Sequence, residues 1–95
     1  INGFMKELRY TRQLKKDLKR FLNQPKKLEE LKIVLDMLRN EITLPEKYRQ
    51  HTLKGEYSGC LECHIEGDFL LIWYDEESDT LALFRLGSHS ELFKD

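Results

Sequence analysis

The sequence predicts an α+β domain of order β-α-α-β-β-β, a helical hairpin packed on a small, mostly antiparallel sheet. Three observations carry that expectation. Apolar residues recur at helical spacing between residues 11 and 40, interrupted once at Asn23-Gln24-Pro25. Three short apolar runs joined by tight polar turns occupy residues 60–86. The length, 95 residues, suits one domain with a single modest core.

Taken in order, Lys6 to Tyr10 reads as a short first strand. Thr11 is expected to cap a first helix running to about Leu22, because its hydroxyl can accept from an orphan backbone N–H of the first turn. Leu14, Leu18, Phe21 and Leu22 form its apolar face, and Arg12, Lys15, Lys16, Lys19 and Arg20 form a cationic stripe on the other side. Pro25 suits the first position of a second helix, with Leu28, Leu31, Val34, Leu35 and Leu38 facing the core and Asn40 at its end. So short a break implies an antiparallel pair. Glu41 to Gly59 shows no clean period and reads as a connection. Cys60–Glu66, Phe69–Tyr74 and Leu81–Leu86 then make an antiparallel meander, turning at Gly67-Asp68 and across residues 75–79. Residues 1–95 are expected to be one domain in which residues 1–4 carry no structural weight.

Composition narrows the class. Hydrophobic residues at 40% and charged ones at 35% fit a globular chain better than a disordered one. The longest apolar run, Phe69 to Tyr74, is far too short to span a membrane, and no signal-peptide pattern opens the chain. Two cysteines without such a signal point to the cytoplasm and to free thiols. The net charge of −1 conceals a division: residues 1–50 carry +6 (thirteen basic, seven acidic) and residues 51–95 carry −7 (three basic, ten acidic). A basic half suggests a polyanionic partner, although a solvated helix pair is the commoner cause of such a pattern.

The chain has three histidines, His51, His64 and His89, each at an edge of the sheet half. Singly, each is more often an ordinary surface residue than a catalyst. If the strand ends converge, these imidazoles with Asp68 and Arg85 supply what ribose-assisted phosphodiester cleavage needs. One base removes the 2′-hydroxyl proton, one acid protonates the leaving 5′-oxygen, and a cation stabilises the phosphorane. Imidazole suits both proton roles near neutral pH. His64 and Asp68 would share a face if the turn began after Asp68.

Cys60-Leu61-Glu62-Cys63-His64 spells the attachment pattern of a c-type haem, yet strand residues three apart face opposite ways. A zinc site would lack its second ligand pair. Neither haem nor metal is therefore expected, and no cofactor. Phe69, Trp73 and Phe84 alternate with aliphatics as core residues do, while Phe93 could stack on a nucleobase or pin the C-terminus.

Three ordered segments, LPEKYRQHTLKGEYSG, CLECHIEGDFLLIWY and LALFRLGSHSELF, resemble the YafQ branch of the RelE/ParE toxin superfamily, over about residues 6–93. The resemblance implies a small endoribonuclease that cleaves messenger RNA in the ribosomal A site without metal. It implies an antitoxin, often of ribbon-helix-helix type and DinJ-like, that silences the toxin and carries it to operator DNA. Among site residues it places catalytic weight on His51, His64, Asp68, His89 and Arg85, with Lys54, Phe69 and Phe93 on the RNA. In that scheme His89 is the general acid, His64 with Asp68 lies on the base side, His51 orients or shares that role, and Arg85 meets the phosphate. Two positions depart from the usual pattern: Phe69 stands for tryptophan and Gly67 for proline. The competing readings are a non-catalytic, ParE-like inhibitor of DNA gyrase on the same scaffold and a plain protein-binding module.

Overall fold

A computed structural model describes residues 5–76 and 79–93. Residues 1–4 and part of the turn expected across residues 75–79 therefore lie outside the described residues.

Strand β1 (Glu7–Tyr10) leads into α1 (Arg12–Lys19), and α2 spans Pro25–Arg39. Thr11 caps α1 as expected: its Oγ1 accepts from the Leu14 N–H at 3.1 Å and donates to the Leu83 carbonyl at 2.8 Å. The helix stops earlier than its apolar pattern. Arg20, Phe21 and Leu22 donate to carbonyls three residues back, which tightens the chain out of the α-helix. Leu22 consequently turns outward and is 64% exposed, although the periodicity assigns it to the core. Pro25 opens α2 and Asn40 closes it, both as the sequence indicates.

The connection after α2 is not wholly irregular. It contains single 3-10 turns at Glu46–Tyr48 and Gly55–Tyr57 and, between them, the two-residue strand β2 (His51–Thr52). Strands β3 (Leu61–Glu66), β4 (Phe69–Glu76) and β5 (Thr80–Gly87) form the antiparallel meander, and α3 (His89–Leu92) follows. The sheet order is β1-β5-β4-β3-β2, with β1 parallel to β5 and the other pairs antiparallel.

Alternation along β4 divides the sheet into two faces. Phe69, Leu71 and Trp73 point toward the helices and join Leu14, Phe21, Val34, Cys63 and Leu86 in the main core. Each such buried side chain contributes on the order of 1.5–3 kcal/mol. Leu70 and Ile72 point the other way and form a smaller cluster with Cys60 and Leu92. The two cysteines thus sit on opposite faces, both buried and both free thiols. Helices α1 and α2 cover the first face through β5 and β3 respectively. Among the described residues the 41–60 connection and α3 pack on the second face, which carries the candidate site.

Two β-bulges interrupt the ladders, at Ile65 between β3 and β4 and at Phe84 between β4 and β5. The second decides where Arg85 points. Leu81 and Leu83 face the helices, so unbroken alternation would send Arg85 into the main core. The additional residue, Phe84, resets the phase, and Leu86 takes the core position instead.

Candidate active site

The open face presents two cross-strand rows. Glu62, Ile72 and Arg85 are partners across β3, β4 and β5, with His51 opposite Glu62 on β2. His64, Leu70 and Gly87 form the next row. At about 4.8 Å per strand, His64 and Gly87 stand roughly 10 Å apart, and His89 begins α3 two residues beyond Gly87. The strand ends therefore lie near one another, with Leu70 and Ile72 as a buried apolar floor beneath Leu53, Tyr57 and Leu92.

The three imidazoles are held differently. His51 is engaged at both ring nitrogens: Nδ1 lies 2.8 Å from the Arg49 carbonyl and Nε2 lies 3.0 Å from Glu62 Oε1. A carbonyl only accepts, so Nδ1 is the donor in that contact, and the Nε2–carboxylate contact is an ion pair when the ring carries both protons. Arg49 presents that carbonyl from a left-handed backbone (φ 50°), a conformation that costs a non-glycine residue about 1–3 kcal/mol. Glu62 is 3% exposed. Its Oε2 is buried without a hydrogen-bond partner among the described residues. The His64 ring lies 6.2 Å from that of His51, and the His89 ring lies 4.8 Å from that of Phe93. Neither of these two rings is hydrogen-bonded within the described protein.

The tail that bears His89 is built by its own side chains. Ser88 Oγ accepts from the Glu91 N–H at 3.2 Å, while Glu91 Oε1 accepts from the Ser88 N–H at 2.7 Å. This is a reciprocal capping box. Gly87 admits it, because a Cβ there would stand 2.7 Å from Glu91 Oε1. Asp68 supplies the next acceptor: the His89 backbone N–H donates to its Oδ1 at 2.8 Å. Asp68 therefore does not accompany His64 on the base side. The turn begins at Gly67 and includes Asp68, which turns the carboxylate toward α3.

Arg85 reaches the site already engaged. Its Nε and Nη2 donate to Asp17 of α1 at 2.8 and 3.3 Å, and its Nη1 donates to the Tyr57 hydroxyl at 3.0 Å. Asp17 is wholly buried and also accepts the Leu86 N–H at 2.9 Å. That N–H lies on the edge of β5 left uncovered once β1 ends opposite Leu83. Burial alone would raise the Asp17 carboxyl. The hydrogen bonds from Arg85, Leu86 and Gln13 outweigh it and hold the group below its ordinary value. The bond to Asp17, with that to Tyr57, raises Arg85 against the opposing effect of desolvation.

Of the expected RNA contacts, Lys54 is exposed and Phe93 half-buried, edge-on to Tyr57 at 5.8 Å. Phe69 is different. It is 1% exposed, packed on Phe21 and covered by the Lys27 ammonium, so it has no face to offer a base. It belongs to the helix side of β4, as its odd place in the alternation requires.

Sequence reasoning missed Asp17, Glu62 and Tyr57. Two of them left a signal. Asp17 is the lone acid of a cationic helix and lies at i+3 from Leu14, on the apolar face. Glu62 stands two residues from His64 and so shares its face.

Comparison with known proteins fixes the family. The profile described as a bacterial toxin of type II toxin–antitoxin system, YafQ, matches residues 6–94. The chain belongs to the YafQ toxin family. A YafQ relative, the mRNA interferase toxin YafQ of Escherichia coli strain K12, is 33% identical over 90 residues, covering 93% of this chain and 96% of its own. The YafQ-containing structure described as the E. coli DinJ-YafQ toxin-antitoxin complex is 31% identical, with a TM-score of 0.81 over 94% of this chain and 98% of that one. A metal-bound toxin from Helicobacter pylori is 39% identical, with a TM-score of 0.83 over 94% of this chain and all of that one (100%). Among the described residues of this YafQ-family chain, no three His, Cys, Asp or Glu side chains are grouped to hold a metal ion. None of its helices, among those residues, is long and apolar enough to cross a membrane.

Proposed function

We propose that this toxin, a single catalytic domain, is an endoribonuclease that cuts messenger RNA by 2′-hydroxyl attack. The observation that carries the reading is the contrast among the histidines. His51 is fixed at both nitrogens, whereas His64 and His89 flank the apolar floor with ring nitrogens available for proton transfer.

In this mechanism the scissile phosphate lies between the two free imidazoles. His64 removes the 2′-hydroxyl proton, and the 2′-oxygen bonds to phosphorus. The bond from phosphorus to the 5′-oxygen breaks, and His89 delivers a proton to that oxygen. The products are a 2′,3′-cyclic phosphate and a 5′-hydroxyl. Arg85 retains one N–H on each terminal nitrogen for the charged phosphorane. Glu62 and Arg49 position His51, which adds positive charge beside His64 when both its nitrogens are protonated. Asp68 positions His89 through its backbone, and Phe93 supports the ring. The histidine set also speaks for a nuclease over a gyrase inhibitor, which needs no proton-transfer groups.

Arg12, Lys15, Lys16 and Lys19 are exposed and form no ion pair among the described residues. They and Lys54 give the toxin a surface for ribosomal RNA, which supports cleavage on the ribosome in the cytoplasm. The DinJ-YafQ relatives support a cognate antitoxin of DinJ type, through which the pair would reach operator DNA. The test is to incubate purified protein with translating and with free RNA and map the cut ends. Cyclic phosphate ends are expected, and 3′-hydroxyl ends would refute the mechanism.

A further inference from the structure

On the ribonuclease reading above, we infer that a cavity beside Arg85 is a nucleobase subsite, in which Glu56 selects bases carrying an exocyclic amino group. The cavity measures about 410 Å³ and is lined by Thr11, Gln13, Glu56, Tyr57, Phe84 and Arg85. That size lies within the range of roughly 300–1,000 Å³ usual for small-molecule sites.

Its position ties it to the reacting centre. Arg85 and Tyr57 belong to both, and the Tyr57 ring contacts Phe93, which contacts His89. A nucleotide whose phosphate lies between His64 and His89 has a neighbour within reach of this cavity. Its aromatic surface suits a base. Phe84 and Tyr57 both pack on the small apolar cluster, and Phe84 lies parallel to Tyr74 with ring centres 6.4 Å apart. Stacking on such rings is worth about 1–3 kcal/mol per base and tolerates any base.

Discrimination has to come from the polar groups, and most of these are already committed. The Thr11 hydroxyl donates to the Leu83 carbonyl at 2.8 Å. The Gln13 amide donates to Asp17 at 3.1 Å. Arg85 is divided between Asp17 and Tyr57, and its remaining N–H groups serve the phosphate. Glu56 alone is exposed and uncommitted, with no hydrogen bond or ion pair among the described residues. A carboxylate at this place repels backbone phosphate, so it addresses the edge of a base. It can only accept, which favours the amino groups of adenine, cytosine and guanine. Uracil offers carbonyl oxygens where those bases carry an amino group and is disfavoured.

The experiment supplies a randomised message, free and in a translating extract, to the wild-type protein, Glu56→Gln and Glu56→Lys, and maps every cut. The Glu56 side chain is exposed and makes no hydrogen bond or ion pair among the described residues, so both variants should melt with the wild type. At one position beside the cut, wild type should under-use uracil about tenfold. Glu56→Gln should level that preference, and Glu56→Lys should reverse it toward bases with carbonyl acceptors. Identical base distributions for all three proteins, or no discrimination by wild type, overturn the subsite while leaving the nuclease intact. A wild-type protein that leaves every message uncut overturns the nuclease reading itself.

Discussion

Asp17 and Arg85 stand 68 residues apart in the chain and meet at 2.8 Å, the acid wholly buried and the guanidinium largely so. One carboxylate thereby does two structural tasks. It closes the edge of β5 at Leu86, and it fixes the Arg85 guanidinium.

Asp17→Asn should cost about 3 kcal/mol, because it leaves a mostly buried guanidinium without its counter-charge. The pH dependence has a defined sign. The folded carboxyl titrates below its unfolded value of about 3.9, so its stabilisation is complete above that value. It is lost as pH falls through the lower folded value, where the unfolded chain has already bound the proton. Urea unfolding between pH 2 and 6 should show a steep acid limb in the wild type and a flatter one in Asp17→Asn.

His64→Ala and His89→Ala should unfold within about 0.5 kcal/mol of the wild type, since neither ring is hydrogen-bonded within the described protein. Each should lower RNA cleavage by at least about a hundredfold, and binding of a DinJ-type antitoxin should persist. Parallel cleavage and binding assays on both variants check this, and full activity in His89→Ala would remove it from the acid role.

His51→Ala should behave differently from those two. It strands a buried Glu62 whose second oxygen already lacks a partner, at a cost of about 1–3 kcal/mol. Denaturant melts would show it as the least stable of the three histidine variants, and Glu62→Gln in the same background should recover part of the loss.

Gly87→Ala sets a methyl group 2.7 Å from Glu91 Oε1 and displaces the capping carboxylate. Ser88→Ala removes the other half of the same box, at about 1 kcal/mol. Both should loosen α3 and swing His89 away, so cleavage should fall further than global stability does. Amide exchange at residues 89–93 alongside cleavage rates gives the comparison.

The Cys63 thiol is pushed up to about 12 by burial, with the Glu62 charge adding to the effect. Burial likewise raises Cys60. At pH 8 neither thiol should react with iodoacetamide in the native protein, and both should react in urea. Mass spectrometry before and after unfolding reads this directly.

Much of the fold was legible because local chemistry and tertiary packing agree. Thr11, Pro25 and Asn40 mark the helix ends they were assigned, and alternation in Phe69–Tyr74 marks a strand with two apolar faces. What stayed hidden depends on phase and on distant partners. A two-residue strand such as β2 has no period to detect. The bulge at Phe84 changes which face Arg85 takes without altering any local signal. Asp68 meets the His89 backbone because its direction depends on where the turn begins, which no local signal marks. The three histidines, by contrast, were visible as residues that an apolar pattern does not explain.

The bulge also makes Phe84 the one residue of β5 that the ladder does not require. A chain shortened by that single residue would keep Leu81, Leu83 and Leu86 inward and Arg85 outward in unbroken alternation. Such a deletion should yield a folded toxin with a more regular sheet, able to cut RNA but poorer at gripping it. The extra aromatic thus adds side-chain surface, stacked on Tyr74, to a strand whose ladder is complete without it.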